Sequence, residues 1–134
     1  MTESGGSIRL LMITSRETRR WVIPKGNRAR GIAPHIAAAQ EAFEEAGALG
    51  VPSPTALGTY SYWKRLKDGR FKKAMVEVFP LAVESEADEW PEAGERERRW
   101  FSLGEAIELL EEEELRSLIA SFRPPDSAAG RENG

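Results

Sequence analysis

Hydrophobic positions recur with two different periods along this chain, and their alternation outlines a small α/β domain. Residues 8–14 (IRLLMIT) are almost unbroken in apolar character, as expected of a strand buried on both faces. Residues 21–23 read as a short second strand stopped by Pro24. Pro34–Ala46 is alanine-rich and favours helix. Pro34 suits a first turn, where no amide donor is needed, and Gly47 suits the C-terminal cap. Residues 57–63 and 73–83 read as strands, the second bending or lying at an edge because Pro80 cannot donate to a ladder. A short strand follows at 98–101. Ser102, with Glu105 three residues on, predicts a capped helix over 103–112, and residues 116–122 predict a last helical turn or two. This order implies one mixed sheet with helices on both sides.

Between these elements lie a basic glycine-containing loop at 25–33 and an acidic loop at 88–97. The ends, 1–6 and 124–134, are polar and rich in Gly, Ser and Pro, and are expected to be disordered. One domain over 7–123 is the expected organisation, since 134 residues suffice for one core and not for two.

Composition narrows the chemistry. The chain has no cysteine and one histidine, His35, so thiolate zinc sites, disulfides and multi-histidine centres are excluded within one chain. Any metal must be held by oxygen ligands, which points to magnesium, manganese or calcium. No stretch nears the roughly 18 apolar residues of a membrane span, and the start MTESGGS lacks the apolar core of a signal peptide; a cytoplasmic protein is the expectation.

The net charge of -3 conceals an asymmetry. Residues 1–104 carry 16 basic and 14 acidic side chains (+2), while residues 105–134 carry 3 and 8 (-5). Residues 9–30 hold Arg9, Arg16, Arg19, Arg20, Lys25, Arg28 and Arg30 against Glu17 alone; residues 64–73 hold Lys64, Arg65, Lys67, Arg70, Lys72 and Lys73 against Asp68 alone. Two dense basic segments in an acidic protein point to a local anionic ligand.

Glu41, Glu44 and Glu45 stand at i, i+3 and i+4 on the central helix, and so share one face. Read alone, EAFEEAG is an ordinary solvated acidic face. Following the basic loop, it reads instead as a carboxylate set for a hard cation, with Arg19, Arg20, Lys25, Arg28 and Arg30 as candidate phosphate ligands. Lys64 and Lys72, flanking a turn at Asp68–Gly69, could face the same pocket. For Glu77 an exposed edge is the simpler reading, for His35 a surface or capping role, for the four tryptophans packing, and for 111–114 a solvated helix end.

The spacing resembles the Nudix box, Gly-x5-Glu-x7-Arg-Glu-U-x-Glu-Glu-x-Gly-U, in which U is bulky and apolar. Gly26, Glu41, Glu44, Glu45 and Gly47 match it, and WVIPKG and ERRWFSLGEA resemble flanks of the branch acting on diphosphoinositol or diadenosine polyphosphates. Ile32 stands at the first box glutamate, Gln40 at the arginine, and Ala42 and Ala48 at the apolar positions. The resemblance implies an α/β/α sandwich around a mixed central sheet. It implies a pyrophosphohydrolase with Mg2+ or Mn2+ on Glu41, Glu44, Glu45 and the Gly26 carbonyl, and with Glu44 or Glu45 orienting or deprotonating water. A small phosphorylated molecule is the implied partner of a monomer or homodimer; nucleic acid is not expected. The alternatives are a hydrolase of other nucleoside diphosphate derivatives, or a non-catalytic module binding anions or RNA.

Overall fold

The computed structural model describes residues 8–25 and 31–123. The elements run β1 (Arg9–Thr14), β2 (Trp21–Val22), α1 (Pro34–Ala46), β3 (Ala48–Pro52), β4 (Gly58–Arg65), β5 (Phe71–Val78), β6 (Leu81–Glu86), β7 (Arg98–Ser102), α2 (Leu103–Leu109) and α3 (Glu113–Ser121).

β1 is apolar on both faces because it is covered on both. Met12 joins Tyr60, Phe101, Ala106, Leu110, Leu115 and Ile119 in a core beneath α2 and α3. Its neighbours Leu11 and Ile13 turn the other way, toward Val22, Ala46 and Ala48 beside the end of α1. Met12 and Ile13 are fully buried, each worth about 1.5–3 kcal/mol of apolar transfer. Helices therefore flank the strands on both sides, as the α/β reading requires.

The strand pairings of the described residues are antiparallel. They fall into three ladders, β2–β1–β7, β3–β6 and β4–β5, where the sequence reading expects one mixed sheet. Two causes are visible. Pro80 divides the strand expected over 73–83, so β5 turns back along β4 while β6 turns to β3. β3 itself is absent from the sequence reading: ALGVP is short, carries Gly and Pro, and gives no clear alternation. α3 is also a full nine-residue helix rather than a turn or two.

α1 has the bounds its sequence predicts. Pro34 stands in its first turn, and Gly47 caps it at φ 67°. A Cβ at Gly47 would lie 2.7 Å from Arg98 Nη1 and 2.9 Å from the Trp90 ring, so both the backbone and the packing demand glycine. The remaining carbonyls of the last turn also find partners. The Trp90 indole donates to Glu45 O (3.1 Å), Glu92 N to Glu44 O (3.0 Å), Arg98 Nη1 to Ala46 O (3.1 Å) and Ala87 N to Gly47 O (2.8 Å). Ser102 and Glu105 form the expected capping box at α2. The β4–β5 turn closes through Leu66 N to Arg70 O, with Gly69 at φ 88°.

No helix among the described residues is long and apolar enough to cross a membrane. The expected disordered ends, 1–6 and 124–134, lie outside the described residues.

Candidate functional site

The three helix glutamates do not share one environment. Glu45 is buried at 6 % exposure, Glu41 is half-buried, and Glu44 is exposed on the outer side of α1. Glu45 accepts the backbone amide of Lys25 at 3.2 Å, its side chain is hydrogen-bonded with that of Glu41, and Arg96 Nη2 lies 4.0 Å from Oε1. Burial pushes the Glu45 carboxyl up to about 7, with Glu41 adding to the rise and Arg96 and the Lys25 amide opposing it. Two carboxyl groups brought together in a partly buried corner are a feature that proton-transfer and metal sites share with structural charge networks.

Arg96 was missed by the sequence reading, and it organises this corner. Its Nη1 donates to Thr14 O at 3.1 Å and its Nε to Glu92 at 2.5 Å, while Nη2 faces Glu45. It provides a buried cation beside the carboxylates in a chain whose box arginine is Gln40. The available signal was the alternation in ERERR, which turns Arg96 and Arg98 to the same side of the chain.

The basic residues divide into two groups. Arg19, at φ 60°, donates to Glu95 O at 3.1 Å and to Glu97 Oε2 at 3.4 Å. Arg20 pairs with Glu112 at 2.8 Å and with Glu111 at 3.7 Å. Burial opposes the charge of Arg20, and the Glu112 carboxylate overcomes that penalty and holds its pKa above the ordinary value. One guanidinium nitrogen, Arg20 Nη1, is buried without a hydrogen-bond partner. Glu112 is likewise opposed by burial and held below the ordinary carboxylate range by Arg20. The 111–114 run is therefore more than a solvated helix end.

Lys25 belongs to the second group. Its Nζ lies 4.9 Å from the Tyr62 ring centroid, and burial lowers its pKa. Tyr62, Lys64 and Lys72 share the inner face of the hairpin, and the two lysines stand directly opposite each other in register. Two like charges in such a pair repel, which an anion between them would relieve. A cavity of about 390 Å³ opens nearby, with Lys25 and Glu41 among its polar lining and Ile23, Ala38, Val78 and Leu81 among its apolar one. Gly26, Arg28 and Arg30 lie outside the described residues.

Glu77 is exposed on β5. His35 lies in the first turn of α1, 6.3 Å from the Phe79 ring. Trp21, Trp90 and Trp100 pack as expected, but Trp63 is 66 % exposed.

The site's chemistry can be tested against a divalent ion. Among the described residues no three carboxylate or histidine side chains converge closely enough to hold one. Glu41 and Glu45 do meet, their side chains joined by a hydrogen bond that a hard dication would replace. Two protein carboxylates suit magnesium, which completes its shell with water and substrate phosphate rather than a protein cage.

The NUDIX domain model matches residues 1–122. Nudix hydrolase 13, mitochondrial, of Arabidopsis thaliana is 33 % identical over 127 residues, which cover 86 % of this chain and 59 % of that protein. Diphosphoinositol polyphosphate phosphohydrolase 3-alpha of Mus musculus is 31 % identical over 104 residues, covering 76 % and 59 %. The chain thus spans a little under three fifths of the length of these curated relatives. A crystal structure of a C. elegans Ap4A hydrolase binary complex superposes with a TM-score of 0.62 at 22 % identity, covering 88 % of this chain and 85 % of that one, a likeness of fold. With a family match running from the first residue to the end of α3, and a glutamate-bearing helix in the middle of it, the chain belongs to the NUDIX domain family.

Proposed function

We propose that this protein is a metal-dependent hydrolase that cleaves the diphosphate linkage of a polyanionic nucleotide or inositol polyphosphate. The observation that carries the reading is the buried Glu45 carboxyl, pushed up to about 7 and joined to Glu41 beside Arg96 and the Lys25 amide. Relatives named as a Nudix hydrolase and as a diphosphoinositol polyphosphate phosphohydrolase support it.

In this reading Glu41 and Glu45 would hold Mg2+ or Mn2+, with water and substrate phosphate completing the shell; Glu44, expected as a further ligand, is exposed on the outer side of α1, and Gly26 lies outside the described residues. When bound, the metal neutralises charge on the diphosphate oxygens and lowers the pKa of water. Glu45 would accept a proton from the attacking water, and such a group contributes roughly 10²–10⁴ in rate. Arg96 holds the Glu45 carboxylate in place. Lys25 offers a phosphate its ammonium, flanked by Tyr62, while Lys64 and Lys72 offer two more cations on the same face. Arg28 and Arg30, also expected as phosphate ligands, lie outside the described residues, whereas Arg19 and Arg20 reach substrate only by leaving Glu95, Glu97 and Glu112. The substrate is a small phosphorylated molecule bound by a monomer or homodimer.

The test is phosphate release from diphosphoinositol polyphosphates, diadenosine polyphosphates, nucleotide sugars and ADP-ribose, with and without magnesium or manganese. Metal-dependent cleavage of one class is expected. A folded protein that cleaves none of them refutes the enzymatic reading. A second reading, a non-catalytic module for anions, is favoured by the exposed Glu44 and by the absence of three converging ligands among the described residues.

A further inference from the structure

We propose that the outer face of the β4–β5 hairpin binds single-stranded nucleic acid, at a site on the opposite side of the hairpin from Tyr62, Lys64 and Lys72. The register sets Ser61 opposite Met75, Trp63 opposite Lys73, and Arg65 opposite Phe71. Alternation along each strand turns these six side chains to one face. Trp63, Phe71 and Met75 are 66 %, 61 % and 65 % exposed, three large apolar groups left in water. Each ring stands directly across from a cation, Trp63 from Lys73 and Phe71 from Arg65. The two rings are diagonal neighbours, about 7–8 Å apart at the backbone.

Most of the charge around the rings is available to a partner, though Lys73 lies within electrostatic reach of Glu114. Asp68, the only acid in the 64–73 run, is held by Arg70 at 2.7 Å. Lys64, Arg65, Lys67, Lys72 and Lys73 make no salt bridge among the described residues. Rings interleaved with cations are what a flexible polyanion of π-faced units requires: bases stack on Trp63 and Phe71 while phosphates reach Arg65 and Lys73. Glu77 and Glu114 lie at the Ser61–Met75 end, so the strand runs from Trp63 toward the turn.

Two other partners fit less well. A bilayer takes up a continuous apolar strip, whereas here every ring faces a cation and the turn, LKDGR, has four polar or glycine residues in five. A second copy docked through the same face would set these cations against themselves. The sequence reading expects no nucleic-acid partner and, separately, takes the four tryptophans as packing residues; the exposure of Trp63 departs from the second expectation.

The experiment is fluorescence anisotropy of a labelled oligouridine of about twelve nucleotides, in EDTA and low salt, so that hydrolysis plays no part. Binding that weakens steeply with salt is expected. Trp63→Ala and Phe71→Ala each weaken it about tenfold, Trp63→Phe retains it, and Lys73→Glu weakens it and flattens the salt dependence. All four variants keep the parent's circular dichroism, and Trp63→Ala keeps the parent's diphosphate hydrolysis. Absence of oligouridine binding, or equal binding by the parent and the two alanine variants, overturns the proposal. So does sedimentation of the parent with phosphatidylserine vesicles, or dimerisation, that the same alanine substitutions abolish while oligouridine binding is unmoved.

Discussion

The Glu45 carboxylate accepts a hydrogen bond from the Lys25 backbone amide at 3.2 Å, tying the last turn of α1 to the segment that follows β2. The acceptor at the centre of the proposed chemistry is thus held by main chain. Glu45→Gln retains an oxygen for that bond while removing the carboxylate. Its expected outcome is a loss of metal-dependent phosphate release by about 10²-fold or more with an unchanged fold. Steady-state kinetics beside circular dichroism checks this, and turnover equal to the parent's would falsify the assignment.

Stability should depend on pH through the same group. The folded-state pKa of Glu45, about 7, lies above the ordinary 4.5, so the fold favours its protonated form. That stabilisation is complete below about 4.5 and is lost as pH rises through about 7. In EDTA, the melting temperature of the parent relative to Glu45→Gln is expected to fall between those limits. A difference that is flat with pH contradicts the shift.

Arg96→Met tests the buried cation. Its side chain is 10 % exposed and that of Glu45 is 8 % exposed, so removing the guanidinium leaves carboxylates buried without their counter-charge. A destabilisation of about 3–5 kcal/mol is expected in urea unfolding at neutral pH, smaller in acid where Glu45 is protonated.

Glu112→Gln releases Arg20 from its 2.8 Å partner and removes a negative charge near Lys25. Under the proposed function, KM for a polyphosphate substrate falls several-fold, up to about tenfold, with kcat little changed. A raised KM would mean that Glu112 supports the site rather than competing for its cations.

Gly47→Ala strains the end of α1. A side chain at φ 67° costs on the order of 1 kcal/mol, and contact with Trp90 and Arg98 adds to it. About 2–3 kcal/mol of lost stability in denaturant unfolding is expected.

What the sequence made legible was local. The bounds of α1, its glycine cap, the Ser102 capping box and the hairpin turn at Asp68–Gly69 follow from neighbours a few residues apart. The Nudix-like spacing also picked out Glu41 and Glu45, which the fold brings together. It could not separate Glu44 from them, because helical spacing gives a shared face and not a depth. The ion pairs of Arg19 and Arg20 join residues 78 to 92 positions apart, which no periodicity records, so both read as free phosphate ligands. β3 was lost for a similar reason: its pairing with β6, not its own alternation, makes ALGVP a strand.

Four hydrogen bonds tie the last turn of α1, with Gly47, to the segment from Ala87 to Arg98. By composition that segment is an acidic surface loop, the kind of place where a lineage freely gains or loses residues. Here a single inserted residue would slide Trp90, Glu92 or Arg98 off its carbonyl and shift the register beneath the glutamates. Variation in loop length among relatives of this chain should therefore collect elsewhere, and this stretch should keep a fixed count even where its side chains drift.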